Sequence, residues 1–345
     1  MNIHIKAETG NTHSDNIWIT DSNIRLSDIL GTWRVRWGIG RMNYTVRPGL
    51  YAANNPDSGS PVLVTANYKL SFDTLRSHLN NRPAWILVLD TNGINVWCAA
   101  GKGTFGTIEL IKRIIVVGLS DIVTHNTIIL PQLGAPGVSA HKVKELTGFR
   151  VVYGPVRSHD LNEYIDAGMK ATPEMRRVRF GFYDRAVLVP IELVLSLKYL
   201  LGIAVFFLLL SGINSAGYSF ESILNQGVHA VFLLLLSVIN GTVITPLLLP
   251  WIPGRAFSVK GIWCGIMIAS LYLFSSYGNV NNVLTLISWF LILPSISSFL
   301  AMNFTGATTF TSYSGVKKEL KYALPVQGIA FALGLILWIA GRFME

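Results

Sequence analysis

The hydrophobic pattern of the chain changes near residue 187. Before that point, short apolar blocks alternate with stretches rich in charged residues, glycine and proline. From Val187 onward, long apolar runs dominate. A run of about 20 apolar residues is long enough to cross a bilayer as a helix. The pattern therefore predicts a globular domain of ordinary size followed by a membrane domain.

In the first part, strand patterns alternate with helical patterns, as is typical of an open, mostly parallel α/β sheet. Each predicted strand is a short apolar block with Gly, Pro or Asn near its carboxyl end. The predicted strands are SPVLVTA (60–66), AWILVLD (84–90), TIIL (127–130) and FRVVY (149–153). The predicted helices are SFDTLRSHLNN (71–81) with Ser71 as N-cap, TFGTIELIKRIIVVGL from about Thr107, VSAHKVKELTG (138–148) ending at a glycine, and HDLNEYIDAG (159–168).

Four loops follow these strands: TANYK (65–69), NVWCAAGKGTFGT (95–107), LPQLGAPG (130–137) and YGPVR (153–157). The carboxyl ends of parallel strands lie at one edge of a sheet, and ligands of open α/β sheets bind there. Most of these loops are rich in glycine or proline. We therefore expect a broad, flat ligand that the backbone approaches closely.

The second part contains five apolar segments that are predicted to cross a membrane: residues 190–213, 228–251, 262–277, 283–301 and 323–341. Basic residues lie before the first span and after the second and fourth, whereas the connections after the first and third contain no Lys or Arg. The basic residues are Lys170, Arg176, Arg177, Arg179, Arg185, Arg255, Lys260, Lys317, Lys318 and Lys321. By the positive-inside rule, this predicts a multi-pass protein of the inner (cytoplasmic) membrane with its first domain in the cytoplasm.

Composition narrows the function classes. The chain has 345 residues, is 51% hydrophobic and 14% charged, and carries a net charge of +9 that the cytoplasmic loops largely explain. No nucleic-acid partner is expected, since no basic surface with stacking or base-reading groups is evident. Two cysteines exclude a disulfide framework and a self-contained iron–sulfur cluster. The first residues lack the form of a signal peptide, which also favours a cytoplasmic first domain.

A nucleotide site is a weak alternative. Residues 101–106, GKGTFG, match the GxGxxG spacing, but the strand-end acidic residue that should follow is ambiguous, with Asp121 as the nearest candidate. A P-loop is excluded because Lys102 is followed by Gly103 rather than by Ser or Thr.

The stretch GINVWCAAGKGTFGT (93–107) places Cys98 beside Trp97 and a run of small residues. An isolated cysteine is commonly a packing residue. It is a soft metal ligand if its thiolate is favoured, and a helix starting near residues 104–107 would direct its positive end at the preceding turn. Asn95 could contact the sulfur or belong to a turn, Trp97 could form a wall or pack in the sheet, and Lys102 could bind a ligand carbonyl or be solvated. These alternatives remain open from the residues alone.

The same stretch resembles the cap-helix segment shared by two corrinoid proteins, and the resemblance continues through ILPQLGAPGVSAHKVK (129–144), GFRVVYGPVR (148–157) and MRRVRF (175–180). These are the corrinoid protein of bacterial mercury methylation and the large subunit of the corrinoid iron–sulfur protein. The resemblance covers residues 61–180. The iron–sulfur relative carries a cysteine-rich cluster motif and is soluble, whereas this chain has two cysteines and five predicted spans. The chain therefore looks like the mercury-methylating member.

The resemblance implies three regions and a cofactor. Residues 1–60 would be an N-terminal segment, 61–185 a Rossmann-like α/β corrinoid-binding domain, and 186–345 an all-α transmembrane domain of about five helices. The cofactor would be a cobalamin-type corrinoid, base-off, with its cobalt held by the sulfur of Cys98. The implied cofactor-binding residues are Thr65, Ala66, Asn95, Val96, Trp97, Cys98, Ala99, Ala100, Gly101, Lys102, Gly103, Thr104, Phe105, Gly106, Gln132, Leu133, Gly134, Ala135, Pro136, Gly137, Gly154, Pro155 and Val156.

The implied activity is methyl transfer from cobalt to Hg(II), forming methylmercury. A small ferredoxin-like [4Fe–4S] protein would supply electrons, and a methylfolate-type donor would supply the methyl group. Two alternatives remain: a membrane-tethered methyl carrier for a carbon or thiol acceptor, and a non-catalytic corrinoid-binding membrane module.

Two features of the membrane part keep two interpretations each, and a third has one. Glu192 and Lys198 could favour a helix start and snorkel to the interface, or they could form an ion path. Cys264 is expected to be a packing residue. Residues 301–322, MNFTGATTFTSYSGVKKELKY and the preceding alanine, could be a polar loop and short basic helix with Ser314 as cap, or a surface that contacts the corrinoid or a partner.

Overall fold

The structure is a computed structural model that describes residues 17–274, 282–306 and 313–344. The chain divides into two compact units. The first combines Met1–Val35 with Ile39–Val178, and the second combines Arg36–Gly38 with Arg179–Glu345.

One mixed sheet organises the first unit. Its strands are β1 (Ile17–Thr20), β2 (Gly49–Ala53), β3 (Val62–Ala66), β4 (Ala84–Leu89), β5 (Thr127–Leu130) and β6 (Arg150–Tyr153). In the described part of this unit, the six strands lie in the order β1-β2-β4-β3-β5-β6. The last four run parallel, and β1 and β2 pair in parallel with each other but antiparallel to β4. The predicted α/β sheet is confirmed, although the two strands before residue 60 were not predicted.

Helices cover both faces of this sheet. In β3, Val64 packs into one core and Leu63 into the other, so both faces of the strand are buried. This explains why the central strands are continuous apolar runs rather than alternating ones. Helix residues Ala99, Leu110 and Val143 pack on one face, and Phe72 and Tyr164 on the other. The helices are α1 (Leu26–Arg36), α2 (Lys69–Ser77), α3 (Val96–Lys102), α4 (Thr107–Val116), α5 (Leu119–Ile122), α6 (Ala140–Thr147) and α7 (Leu161–Asp166).

Two predicted helix ends can be compared with the structure. Helix α6 ends at Gly148, whose φ of 77° lies in the left-handed region, as the glycine predicted. Helix α2 begins at Lys69 with Tyr68 at its N-cap position, so the predicted cap at Ser71 is wrong. The earlier start lets the Lys69 ammonium reach the carboxylates of Asp28 on α1, at 2.6 Å, and Asp73, at 2.5 Å. A tertiary ion cluster therefore fixes this boundary.

Over its described residues, the second unit is helical apart from a short hairpin of β7 (Ile213–Asn214) and β8 (Gly217–Tyr218). Its helices are α8 (Phe182–Ala186), α9 (Val189–Ser211), α10 (Phe220–Ser222), α11 (Val228–Ile239), α12 (Thr245–Leu248), α13 (Phe257–Phe274), α14 (Val283–Gly306) and α15 (Tyr313–Arg342). π-Helical turns at Ile223–Gly227 and Asn240–Ile244 join α10, α11 and α12 into one long element.

Five helical segments of the described chain are long and apolar enough to cross a membrane, which confirms the predicted number. They are Phe182–Ser211, Phe220–Leu248, Phe257–Phe274, Val283–Phe304 and Gly315–Arg342. The third begins earlier than predicted, because Phe257 and Ser258 are buried and the Ser258 N–H donates to a Glu319 carboxylate oxygen at 2.6 Å. The end of the third predicted span, residues 275–277, lies outside the described residues.

The segment 301–322 is more helical than predicted. Helix α14 continues to Gly306, and α15 already begins at Tyr313, so Ser314 lies inside the helix and is not its cap. Residues 307–312 lie outside the described residues. The basic residues Lys317, Lys318 and Lys321 therefore belong to the first turns of α15 rather than to a separate short helix.

Close packing holds the membrane helices together. Gly261 and Gly265 on α13 face α14, where an added Cβ would lie 2.6 Å from the Ser297 carbonyl oxygen and 2.4 Å from the Pro294 Cα, respectively. Small residues spaced by four permit such approach between helices in membranes. Cys264 is buried in the same helix, as a packing residue should be.

A cavity of about 830 Å³ lies among α9, α11, α14 and α15. Glu192 and Lys198 both line it, and most of the remaining lining is apolar. The Lys198 ammonium lies 4.7 Å from the ring centre of Tyr199, which also lines the cavity. Both interpretations of Glu192 and Lys198 therefore remain predictions.

Candidate functional site

The site predicted from the sequence lies where β3, β4, β5 and β6 end. These strands are parallel and adjacent, so their carboxyl ends meet at one edge of the sheet. Segments 95–107, 132–137 and 154–156 follow three of these strands. The topology therefore brings the four predicted loops to one edge, as the sequence pattern indicated.

The segment that carries Cys98 is a helix, as the resemblance to a cap-helix segment implied, whereas the strand-and-loop pattern predicted a loop there. Helix α3 starts after Asn95, whose side-chain oxygen accepts a 2.9 Å hydrogen bond from the Cys98 backbone N–H. It ends at Gly103, with φ of 82° in the left-handed region. Asn95 is therefore an N-cap that holds the backbone of Cys98, rather than a partner of its sulfur.

The sequence also predicted that a helix after Cys98 would direct its positive end at the turn before it. Helix α4 does begin at Thr107, as predicted. The turn before it, however, consists of residues 103–106, and Cys98 lies farther back, in the first turn of α3. The expected placement of Cys98 in the turn that precedes α4 is therefore wrong.

The small residues of α3 divide between two faces. Ala99 and Ala100 are buried, at 0% and 7% exposed, and pack in the sheet core. Gly101, Lys102 and Gly103 are exposed, and Cys98 is half-buried. Positions three and four apart share a helix face, so Cys98, Gly101 and Lys102 form one outward surface. Only part of the small-residue run is therefore available to a ligand.

The inward face of α3 interlocks with the turn at residues 132–137. A Cβ on Gly137 would lie 2.1 Å from the Phe105 carbonyl oxygen and 3.2 Å from the Ala100 Cα. A Cβ on Gly134 would lie 2.5 Å from the ring of Phe105, which is itself fully buried. Gly106 is buried as well, and its added Cβ would meet the Gly103 carbonyl oxygen at 2.6 Å. These residues join the helix and the turn tightly.

Further hydrogen bonds connect α3, the start of α4 and the turn at residues 132–137. Thr107 Oγ1 accepts a 2.8 Å hydrogen bond from the Ser139 N–H and lies 3.5 Å from the Gly137 carbonyl oxygen. Thr104 N–H donates to the Ala99 carbonyl oxygen at 3.0 Å. In the turn itself, Gln132, Leu133 and Ala135 are half-buried and Pro136 is exposed. The Gln132 side-chain oxygen accepts a hydrogen bond from Arg176.

The other predicted site residues lie deeper. Thr65 and Ala66 form the end of β3 and are 3% and 0% exposed. Gly154 and Pro155 are buried after β6, and the Gly154 N–H donates to the Leu130 carbonyl oxygen at 2.7 Å. Val156, Val96 and Trp97 are half-buried, and Val96 packs against the sheet core. The structure thus places these residues beneath or beside the outward surface of α3, and not all on it.

The first unit is similar in sequence to known proteins. Residues 36–165 match the family model described as CO dehydrogenase/acetyl-CoA synthase delta subunit. The acetyl-CoA decarbonylase/synthase complex subunit gamma of Methanocaldococcus jannaschii is 34% identical over 127 residues, which cover 36% of this chain and 26% of that protein. Subunit gamma 2 of Methanosarcina thermophila is 37% identical over 114 residues, covering 32% and 24%. The chain spans about a quarter of the length of these curated relatives.

The first unit is thus similar to subunits of an acetyl-CoA synthase complex. This agrees with the coarser part of the resemblance, a relation to the corrinoid iron–sulfur protein family. The family match ends at residue 165 and precedes the five candidate spans. It does not bear on mercury methylation.

Asn67 is a further residue of this edge, and the predicted site omitted it. It is 6% exposed, and its side-chain oxygen accepts hydrogen bonds from the Thr91 N–H at 3.0 Å, the Thr91 hydroxyl at 2.8 Å and the Gly93 N–H at 3.0 Å. The Thr91 hydroxyl in turn lies 2.7 Å from the carbonyl oxygen of Ile94, the residue before the N-cap of α3. Asn67 therefore fixes the segment that leads into α3. The signal was present: a polar amide directly follows the strand VLVTA, in which Thr65 is the one polar residue.

Metal ligands of the usual clustered kind are not found at this edge. Among the residues that the structure describes, no three His, Cys, Asp or Glu side chains are grouped so that they could hold an ion. Any metal at α3 would therefore depend on Cys98 and on ligands that a cofactor brings with it.

Proposed function

We propose that the chain is a membrane-bound, corrinoid-dependent methyltransferase in which the sulfur of Cys98 contacts the cobalt of the cofactor. The observation that carries this proposal is the outward surface of α3. Cys98 is half-buried there, and Gly101 follows one turn later with no described atom within 4 Å of an added Cβ. A planar ring with a metal at its centre requires a ligand such as this thiol beside a surface that no large side chain covers.

The residues present fit such a ring. Gly103, like Gly101, has no described atom within 4 Å of an added Cβ, so the backbone is open along this side of the helix. Ala99 and Ala100 are turned into the core and hold the helix from behind. Thiolate sulfur is a soft ligand that suits a soft, polarisable metal centre. These points support a base-off corrinoid whose lower face is bound by Cys98.

The chain's own residues would position the cofactor. Asn67 and Asn95 hold the backbone on either side of the entrance to α3, which fixes where the Cys98 sulfur points. Lys102, exposed on the same face, is placed to donate to an amide or carboxylate at the ring edge. When bound, the corrinoid would supply the methyl-transfer chemistry toward an electrophile, and Cys98 would hold its metal and donate electron density to it.

For the acceptor we propose Hg(II), which takes the methyl group and its electron pair to give methylmercury. Five candidate spans and only two cysteines separate this chain from a soluble, cluster-bearing corrinoid protein. Electrons would then come from a separate ferredoxin-like [4Fe–4S] protein and the methyl group from a methylfolate-type donor. The positive-inside pattern supports a cytoplasmic position for the first unit.

A second candidate is a methyl carrier for a carbon or thiol acceptor. The observation that favours it is the similarity to acetyl-CoA decarbonylase/synthase subunits. Both candidates share the corrinoid and Cys98, and they differ only in the group that receives the methyl. A non-catalytic corrinoid-binding module would share the cofactor and transfer nothing.

The first experiment tests the cofactor. The full chain is purified in detergent from a corrinoid-replete host, and its visible spectrum is compared with those of Cys98→Ala and Cys264→Ala. We expect a base-off corrinoid spectrum that Cys98→Ala alters and Cys264→Ala, the matched control, leaves unchanged. A colourless wild-type protein, or identical spectra for all three, would refute the proposal.

The second experiment tests the acceptor. The corrinoid-loaded chain receives a reductant and a methyl donor together with Hg(II), a thiol or a carbon acceptor, and the products are identified by mass spectrometry. Methylmercury alone supports the first candidate, and methylation of the thiol or carbon acceptor supports the second. A loaded chain that methylates none of them would be a binding module.

A further inference from the structure

Helix α1 carries a stripe of large apolar side chains on its outer face. Leu26 is 71% exposed, Ile29 44%, Leu30 56% and Trp33 64%. Spacings of three, four and seven residues place all four on one side of a helix. A contiguous apolar surface of this kind on a globular unit marks a contact with a partner or a membrane.

The inner face of α1 carries one buried apolar side chain, Val35, beside the buried Asp28 and the small Gly31, so most of the apolar side chains of this helix lie on the face away from the core. Asp28 is 9% exposed and accepts from the Lys69 ammonium and the Arg76 guanidinium, both at 2.6 Å. A Cβ on Gly31 would lie 2.3 Å from the Tyr44 hydroxyl oxygen. Burying the stripe by rotating the helix would break the ion pairs and force Tyr44 aside. The apolar side is thus locked outward.

Charge indicates what the stripe contacts. Arg25 directly precedes α1, and Arg34 and Arg36 lie in its last turn. The side chain of Arg25 is 62% exposed, and Arg34 is also exposed. Asp28, the acidic residue of the helix, is buried and paired. An apolar face flanked by exposed arginines and tryptophan is the composition of a helix that lies in the interface of an anionic membrane.

The chain connects α1 directly to the unit that contains the candidate spans. Residues Arg36–Gly38 follow α1 directly and belong to the unit that contains the candidate spans. An added Cβ on Gly38 would meet the Ile191 side chain at 2.9 Å and that of Val194 at 3.7 Å, both in the first turns of α9. Three residues reach at most about 11 Å. The end of α1 is therefore tethered a short distance from the start of a membrane-spanning helix.

We propose that α1 is an interfacial membrane anchor, with its apolar stripe among lipid acyl chains and its arginines at anionic headgroups. This inference is independent of the corrinoid and of methyl transfer. It assigns to the region around residues 25–37 the task of binding the membrane surface, in addition to the five candidate spans.

The test measures where α1 lies in the full chain. The chain, with Cys98→Ser and Cys264→Ala as background, is reconstituted in nanodiscs of neutral and anionic phospholipids. A nitroxide label is attached at Leu30→Cys or, as the matched control, at Glu145→Cys, an exposed polar position on α6 of the same unit. Electron paramagnetic resonance then compares collisions of each label with apolar oxygen and with a water-soluble nickel complex.

We expect the oxygen-to-nickel collision ratio at residue 30 to be several-fold higher than at residue 145, and to fall when anionic lipid is left out. Equal ratios at the two positions would place the stripe in water and overturn the proposal. Low collision rates with both reagents at residue 30 would mean that a protein surface covers it, which would also overturn it. The corrinoid content does not enter either readout, so failure here leaves the proposed function untouched.

Discussion

The backbone N–H of Cys98 and the side-chain oxygen of Asn95 are 2.9 Å apart and form the N-terminal cap of α3. Asn95→Ala removes this acceptor, and loss of such a cap costs about 1 kcal/mol. We therefore expect the amide hydrogens of residues 96–99 to exchange about fivefold faster, measured by hydrogen exchange and mass spectrometry on the full chain. Asn95→Ser, which retains a capping oxygen, is the control. Unchanged exchange in Asn95→Ala would contradict the capping role.

Two glycines on opposite sides of the α3 region should respond oppositely to the same substitution. Gly137→Ala places a Cβ 2.1 Å from the Phe105 carbonyl oxygen, and overpacking of this kind costs about 1–3 kcal/mol. Gly101→Ala meets no described atom within 4 Å and improves helix propensity by up to about 1 kcal/mol. Thermal unfolding of the full chain in detergent should show a lower midpoint for the first variant only.

The Gly101→Ala variant also tests the position of the cofactor. Gly101→Ala should lower corrinoid content while preserving thermal stability, because its methyl group occupies the open side of α3. A Gly101→Ala variant that retains full corrinoid content would count against a ring over this face.

Low pH should weaken the ion pairs that hold α1 on the first unit. Burial alone would raise the pKa of Asp28, but hydrogen bonds from Lys69 and the Arg25 N–H, with the charges of Lys69 and Arg76, hold that pKa below its ordinary value. A carboxyl with a lowered pKa stabilises the fold above its unfolded pKa of about 4 and loses that contribution as pH falls through the folded pKa. The protection factors of residues 26–36, which correct exchange rates for the intrinsic effect of pH, should therefore fall below about pH 4, measured by hydrogen exchange and mass spectrometry.

The contribution of Lys69 to stability changes with pH in the opposite direction to that of Asp28. Burial would lower the pKa of Lys69, yet its bonds to Asp28 and Asp73 raise it above the ordinary value. Its contribution to stability is complete below its unfolded pKa and is lost only as pH rises through the higher folded pKa.

The Asp28→Asn substitution tests the ion cluster directly. It breaks a buried pair at a cost of about 3 kcal/mol and should accelerate hydrogen exchange in α1 already at pH 7. Exchange that is equal to wild type at pH 7 would contradict the cluster's role.

The contact between α13 and α14 allows a parallel test in the membrane unit. Gly265→Ala places a Cβ 2.4 Å from the Pro294 Cα, and we expect a lower thermal midpoint in detergent from about 1–3 kcal/mol of overpacking. Gly328→Ala on α15 meets no described atom within 4 Å and serves as the control. Equal midpoints for the two variants would show that α13 and α14 are less closely packed than described.

The central strands and the five spans were predictable because burial on all sides leaves an unambiguous signal. β3 and β4 are buried on both faces, so VLVTA and AWILVL contain almost no polar residue. The spans are long apolar runs for the same reason. The short strands β1 and β2 were not predicted, because the turns and charged residues around IWIT and GLYAA conceal their pairing with each other and with β4.

The helical state of Cys98 was implied only by the family resemblance, because VWCAAGK has no helical periodicity of apolar residues and contains a glycine. The cap by Asn95 and the packing of Ala100 on Gly137 stabilise it, and the second of these joins residues far apart in sequence. The sequence identifies the small residues of this segment but does not show which of them are buried. Ala99 faces the core and Gly101 faces outward, and this difference depends on how the helix lies against the sheet. The orientation of α1 was hidden for a similar reason, because its buried side combines the charged Asp28 with Val35 while most of its large apolar residues face outward.

The interlock between Gly137, Ala100 and Phe105 has a consequence for access to the thiol. Because the rear of α3 is closely packed, a thiol-specific reagent should approach Cys98 from the outward surface that this residue shares with Gly101 and Lys102. A larger side chain at residue 101 should therefore slow alkylation of Cys98, and bulky reagents should be affected more than small ones.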